Sequence, residues 1–385
     1  AAAFDALGIT AEDLLGAPDL ATTIVTYHVV PGKVMSTDLS SGVVSTVEGS
    51  AVTVSVGDMG VMVDQASVTA ADLESANGES VVHVIDSVLL TLPVDPASVE
   101  GDIAAAGSST VFPLAERLKD EFEDAGYAST LAIDSIGSGG GFERFCEEGA
   151  SDISNASRAI RDGEIEACGM LEPSREPIEI RVGTDALAVV VSSENDFVEA
   201  LSLEELALVF GSAETWADVN PDFPAEPIER YIPDDASGTF DYFVEEVFEE
   251  DPEPIRSVNP VQSSDDNVLV EGITASEFAI GFFGYAYFQE NEGELTALSI
   301  DDVEPNAANV DNGSYPLARP LFMYTDDDII SEKPQVAAFL NFVVSDVNEY
   351  IGDVGYFPAN PAALFGAKAT LLQIALGTFD PMAGM

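Results

Sequence analysis

Gly107-Ser108-Ser109-Thr110-Val111-Phe112-Pro113 decides how this chain is read, because it sets a glycine, a run of hydroxyls and a proline between the apolar stretch Ile103 to Ala106 and a helical pattern. Proline suits the first turn of a helix, and Leu114, Leu118 and Phe122 then fall on one face of it. A helix beginning on such a turn presents unpaired backbone N–H groups and the positive end of its dipole. Further serine-bearing turns repeat the arrangement at Gly137-Ser138-Gly139-Gly140-Gly141, Ser154-Asn155-Ala156-Ser157-Arg158 and Ala236-Ser237-Gly238-Thr239. Were these turns to converge, they would form a pocket for a tetrahedral oxyanion, with hydroxyl donors added and glycine letting the ligand approach the backbone.

Charge opposes that reading at long range. Lysine and arginine total 13 against 70 acids, a formal net charge of -57, and such a field repels anions. Binding must therefore be local, and salt favours it by screening remote repulsion more than short contacts. The composition suggests marine or hypersaline water, or divalent cations held at the surface. Nucleic acid is excluded as a partner, because the basic clusters that capture phosphate backbones are missing.

A chain of 385 residues, 46 % hydrophobic, predicts two or three domains and is no disordered acidic tail. No apolar run approaches the roughly 18 residues of a membrane span. The chain begins Ala1-Ala2-Ala3 without a basic start or apolar core, which predicts a removed targeting segment or a truncated copy. Cys146 and Cys168 read either as a metal or redox pair or as a structural disulfide. Metal sites want closer spacing and more ligands, and His28 and His83 lie far off, so the disulfide is expected, and with it an extracytoplasmic setting.

The prolines of Thr91-Leu92-Pro93-Val94-Asp95-Pro96 mark the clearest boundary. Before it, Ala11 to Leu15 reads as a short helix, Thr23 to Val30 as a strand, Val52 to Val63 as a hairpin turning at Gly57-Asp58-Met59-Gly60, and Val81 to Leu90 as a strand covered on both faces. After it, strands at Ile103 to Ala106, Leu131 to Ile136 and Ala186 to Val191 alternate with helices starting at Pro113, Phe142, Leu203 and Pro334. That order predicts an α/β fold with mostly parallel sheets and a ligand beyond the carboxyl ends of the strands.

At these residues the second domain resembles the phosphate-binding protein of phosphate ABC transporters, a type II periplasmic binding protein. The likeness runs from Ile103 to about Leu364. It includes residues 107–113, 137–142 and 152–158, Asp-Ala-Ser-Gly-Thr-Phe-Asp-Tyr-Phe at 235–243, Asp-Asp-Asn-Val-Leu-Val at 265–270 and Ala-Ile-Gly-Phe-Phe-Gly-Tyr-Ala-Tyr at 279–287. The resemblance implies two lobes joined by two crossings, one lobe at about 101–187 and 320–385 and the other at 188–319, closing on inorganic phosphate for an ABC transporter permease. It implies Ser109, Thr110, Val111, Ser138, Ser157, Ser237, Gly238 and Thr239 as donors and Arg158 as the cation. Better-known members carry an arginine four residues before the serine matching Ser237, and here that position is Pro233. Asp235 is then expected to orient Arg158 through a charge-assisted pair, and Asp152 and Asp235 are candidate proton acceptors, each otherwise a capping carboxylate.

Residues 1–92 resemble a fasciclin domain, an α+β module, in Thr26-Tyr27-His28-Val29-Val30-Pro31-Gly32-Lys33-Val34, Val82-His83-Val84-Ile85-Asp86-Ser87-Val88-Leu89-Leu90 and Ala3-Phe4-Asp5-Ala6-Leu7, with a linker at 93–100. That resemblance implies adhesion, to matrix or to neighbouring copies, with His28 and His83 packed as structural residues. The usual domain has more residues ahead of its first matching helix, so apolar surface and a sheet edge are expected to be exposed or covered by strand addition. Asp326-Asp327-Asp328 and Asp301-Asp302 lack the spacing of a calcium loop and read as solvated, so no metal and no cofactor is expected. No activated nucleophile is visible, which leaves two readings. One is an extracytoplasmic phosphate binder, in the periplasm or at the cell surface, rather than an enzyme. The other is a structural or adhesive surface or filament protein that reuses the same fold.

Overall fold

The computed structural model describes residues 7–57, 60–91, 95–235, 237–249 and 251–379; the turn residues Asp58 and Met59, Ala236 and part of the linker lie outside them. The first domain opens with helix Ala11–Gly16, capped reciprocally by Thr10 and Asp13. A second helix, Pro18–Tyr27, replaces the strand expected from Thr23. Pro18 starts it and Ile24 and Tyr27 bury one face. Thr22 and Thr26 turn their hydroxyls onto carbonyls four residues back, so the β-branched run is satisfied within a helix. Strands β1 (Gly42–Ser45), β2 (Ala51–Gly57), β3 (Gly60–Val63), β4 (Ala66–Glu74) and β5 (Val81–Ile85) form an antiparallel meander in sequence order. β5 stops at Ile85, and Val82 and Val84 are exposed, so the expectation of a strand covered on both faces fails: only the face carrying Val81, His83 and Ile85 is partly covered.

The rest of the molecule is built on one large sheet and a small two-stranded one. β6 (Ile103–Gly107), β7 (Leu131–Ser135) and β8 (Ile153–Ala156) run parallel. β9 (Ile178–Ser192) follows, with the short β10 (Ala200–Leu201), then β11 (Glu229–Pro233), β12 (Val261–Ser263) and β13 (Ala279–Gly284), a second parallel trio. β14 (Leu295–Ala297), β15 (Ser299–Ile300), β16 (Ala318–Thr325) and β17 (Phe357–Pro358) complete the set: β10 and β15 pair by themselves, and the large sheet runs β12-β11-β13-β9-β16-β8-β6-β7 with β14 and β17 added alongside β9. β9 and β16 are antiparallel to their neighbours, so the sheets are mixed rather than simply parallel.

β9 explains the two lobes. Its first half pairs with β16 and its second, from Leu187 to Val191, with β13. Ile178, Ile180 and Val182 enter one apolar core with Phe122, Phe145 and Phe339, whereas Ala186 to Val191 enter another with Phe210, Trp216, Phe243 and Phe282. One strand thus serves two cores, and the chain crosses between them twice, on β9 and β16. Among the described residues no helix is long and apolar enough to cross a membrane.

The first domain is not packed alone. Leu7, Ile9, Ile24 and Leu90 belong to the same apolar core as helices Pro334–Tyr350 and Pro361–Leu376, and Gln373 donates to the Leu7 carbonyl at 2.7 Å. His28 bonds the Ile24 carbonyl and accepts from the Leu89 amide, and His83 bonds the Val34 carbonyl, which are structural roles. Under Tyr27 lies Lys368, its ammonium 6.0 Å from the ring centre, and burial lowers its pKa. Asp346 faces the same junction; burial pushes its carboxyl up to about 6, against the attraction of Lys368 and with help from Glu349 and Glu48. The folded protein therefore keeps a proton that the unfolded chain releases near pH 4, and the stability linked to that proton is lost as pH rises through about 6. Asp346→Asn should melt higher than the parent at pH 7.5, with the gap closing toward pH 4.5; a gap that does not change with pH in thermal melts would contradict this.

Candidate functional site

The turns that follow β6, β7 and β8 meet backbone to backbone. The Ser108 amide donates to the Asn155 carbonyl at 2.8 Å and the Ile136 amide to the Gly107 carbonyl at 2.9 Å. Gly107 has φ +144°, and a Cβ there would lie 2.0 Å from the Asn155 oxygen; a Cβ on Gly141 would lie 2.6 Å from Gly107 Cα. Only glycine fits at either position, so the glycine-rich motifs let the turns close on one another.

Ser108, absent from the expected donor set, organises the first turn. Its Oγ accepts from the Thr110 and Val111 amides at 3.2 and 3.3 Å at the entry to helix Phe112–Asp124. A serine hydroxyl that accepts from amides two and three residues on is an ordinary serine turn, and its residues were available in the sequence. Ser109 is exposed while Thr110 and Val111 are buried, and the Thr110 carbonyl accepts from the Tyr356 hydroxyl at 2.8 Å. In the second turn the helix begins at Gly137, five residues before the expected start at Phe142. Ser138 Oγ accepts from the Ser157 amide at 3.1 Å and stands 3.3 Å from Ser157 Oγ. Those two expected residues are side by side. Beneath them Ser154 Oγ and both side-chain polar atoms of Asn155 are buried without a protein partner.

Arg158 follows directly. Both its terminal nitrogens bond the Glu164 carboxylate, at 2.9 and 2.7 Å, and its guanidinium lies 5.1 Å from the centre of the Phe142 ring. The bond to Glu164 raises the pKa of Arg158, and the charge of Glu245 on the other lobe adds to that. Burial opposes the charge on Glu164, yet the bonds from Arg158 and the Arg161 amide outweigh it and hold the carboxyl below its usual range. The expected pair between Arg158 and Asp235 does not form. Asp235 accepts instead from Arg256 at 3.1 Å and Gln262 at 2.9 Å, and Glu164, on the first turn of helix Asp162–Gly169, takes its place. Asp152 is also displaced from its expected role. It lies at the start of β8, opposite the end that leads to Ser157, bound by Lys333 at 2.5 Å and the Ala104 amide at 3.1 Å.

In the second lobe Ser237 caps helix Gly238–Phe248, its Oγ accepting from the Thr239 amide at 3.2 Å. Next to it stands a residue the sequence reading passed over. Arg319 on β16 is buried, bonds Asp185 of β9 through Nε at 3.0 Å, covers the face of Tyr242 at 3.8 Å and reaches the Gly238 carbonyl at 3.5 Å. Asp185 is wholly buried, which raises its pKa despite Arg319. Their signal was positional: a charge on each crossing strand. A charge within a strand carries no turn motif, so the sequence alone does not mark them.

Cys146 and Cys168 are joined as expected, with S–S 2.10 Å, tying the turn after Phe142 to the helix that carries Glu164.

A family model described as a PBP superfamily domain matches residues 93–347, and a fasciclin domain model matches residues 1–91. The phosphate-binding protein PstS of Staphylococcus saprophyticus is 34% identical over 268 residues, covering 68% of this chain and 82% of that protein. Protein SphX of Synechococcus elongatus is 38% identical over 298 residues, 74% of this chain and 86% of its own. The crystal structure of a possible phosphate binding protein from Planctomyces limnophilus superposes with a TM-score of 0.66 at 35% identity, over 74% of this chain and all (100%) of that one. The first and third of these are named as phosphate-binding proteins, in line with a chain that is not an enzyme. With its two-lobed α/β fold, the chain belongs to the phosphate-binding proteins of the PBP superfamily, preceded here by a fasciclin domain.

Proposed function

We propose that this protein captures inorganic phosphate outside the cytoplasm and hands it to an ABC transporter permease. The observation that carries the reading is the junction of the lobe-one turns, with Ser138 and Ser157 in contact, Gly107 and Gly141 packed against each other and Arg158 beside them. Phosphate is held between Ser109, Thr110, Val111, Ser138, Ser157 and Arg158 on one lobe and Ser237, Gly238 and Thr239 on the other, with Asp235 fixing Arg256 at the rim. The binding unit is residues 101–385, its lobes dividing near 187 and 320, with residues 1–92 as the adhesive module and 93–100 as linker. The acidic surface suits saline surroundings, where screening removes remote repulsion.

Calorimetry with phosphate, arsenate and sulfate tests this: saturable heat with phosphate at micromolar concentrations or below is expected, and no heat with phosphate ends it. A second reading, a surface scaffold, is favoured by the fasciclin sheet, whose order leaves β1 and β5 at its edges with Val43, Val82 and Val84 exposed. Light scattering on the whole chain separates the two, since a monomer at all concentrations rules out self-assembly.

A further inference from the structure

Arg319 stands where the two crossings meet. Its Nε is fixed by Asp185 on the other crossing strand, and the register of β16 slips between Leu321 and Phe322, two residues on, where a bulge bends a strand. From this anchor the guanidinium reaches into lobe two: over Tyr242, toward the Gly238 carbonyl, and to within 3.7 Å of Glu245. All of those groups belong to helix Gly238–Phe248, whose first turn carries Ser237 and Thr239. On the other side, Tyr356 directly precedes β17, whose Phe357 pairs with Thr184 of β9, next to Asp185, and it gives its hydroxyl to the Thr110 carbonyl. The lobe-one turn, Tyr356 at the start of the β17–β9 pairing, the buried ion pair beside that pairing and the lobe-two turn thus follow one another through the molecule.

We propose that Arg319 is a positioning residue that couples the hinge to the cleft: aimed by Asp185, it sets how closely the Ser237–Thr239 turn approaches the Thr110 turn and so balances open against closed lobes. The ligand in this proposal rests on the phosphate reading; the mechanics do not. Arginine is required because a planar fork can bond Asp185 edge-on while its face covers Tyr242, and an ammonium can do only one of these. A pair fixed in two strands and leaning on a third element has discrete arrangements, which is what a hinge needs in order to transmit a shift.

Two variants test it in the full chain. Arg319→Lys keeps the charge and loses the fork and the stack; Tyr356→Phe loses only the hydroxyl that reaches Thr110. Each should raise the radius of gyration of the ligand-free protein in small-angle scattering and weaken inorganic phosphate about tenfold, within the usual range of coupling between sites. Saturating phosphate should restore the parent's compact envelope. Parent-like scattering and affinity in both variants overturns the proposal, as does full rescue by lysine, which would leave charge alone as the cause. If Arg319→Lys does not fold, Tyr356→Phe decides by the same two readouts. If the parent itself titrates no phosphate, the phosphate reading fails, and scattering of the ligand-free variants still decides the hinge.

Discussion

Phosphate affinity should fall by about 30-fold to several thousand-fold in Arg158→Ala, the 2 to 5 kcal/mol lost when one partner of a desolvated charge pair is removed. Two effects add. The oxyanion loses the cation beside Ser157, and Glu164, a part-buried carboxylate held ionised by that cation, is left facing the same space. Arg158→Ala/Glu164→Gln should therefore bind more tightly than Arg158→Ala alone, although more weakly than the parent. With a net charge of -57 the remaining attraction is short-ranged, so raising salt from 0.15 M to about 1 M should leave the parent's affinity little changed or improved. Calorimetry on the parent, both variants and Glu164→Gln at the two salt concentrations measures all of this. Binding by Arg158→Ala within threefold of the parent would remove Arg158 from the site.

The importance of Arg158 follows from what stands around it. Pro233 occupies the place of the arginine found in better-known members, and its strand β11 ends there without a charge. Arg256 is engaged by Asp235, and Arg319 is engaged by Asp185 with Glu245 nearby. Arg158, Arg256 and Arg319 are thus each already matched by a carboxylate. A dianion entering there competes with those carboxylates, and the amide and hydroxyl donors of the turns must contribute much of the selectivity, since they are neutral and fixed by the backbone.

How much of this could be read from residues alone differs by element. The turns were legible because serine turns and glycine geometry are local: Gly107 and Gly141 had to be glycine, Ser108 closes its own turn and Ser237 caps the helix after it. The hairpin at Val52 to Val63 was legible from its alternation, and the helix at Pro334 from its start signal and core spacing. The helix at Pro18–Tyr27 was missed because Thr23, Ile24, Val25 and Thr26 have strand propensity, and the hydroxyl bonds that overrule it are visible only in three dimensions. Val82 and Val84 were read as covered because an apolar run says nothing about whether a second layer exists. The partners of Arg158 and Asp235 were misassigned for a different reason. Pairing across elements depends on which side chains reach one another, and proximity to a motif does not give that, so Glu164, six residues after Arg158, won over a carboxylate brought from the other lobe.

Joining Cys146 to Cys168 should matter next most for stability. The bridge closes a loop of 22 residues, and the chain-entropy estimate for a loop of that length is about 3 kcal/mol. Cys146→Ser/Cys168→Ser should then melt roughly 5 to 10 °C below the parent. Both cysteines are buried in the lobe-one core, and between them lie β8, Ser157, Arg158 and the start of helix Asp162–Gly169. The loop that the bridge constrains is therefore the one that holds the cation and its carboxylate. Removing it should weaken phosphate binding as well, by a smaller factor than Arg158→Ala, because Glu164 loses the tether that keeps its helix against the Phe142 turn. Calorimetric melts and phosphate titrations of the double variant, beside alkylation of the parent without reductant, measure both effects. Free thiols in the parent, or a double variant that melts with it, would show that the core alone fixes this loop, and the argument for an oxidising compartment would go with it.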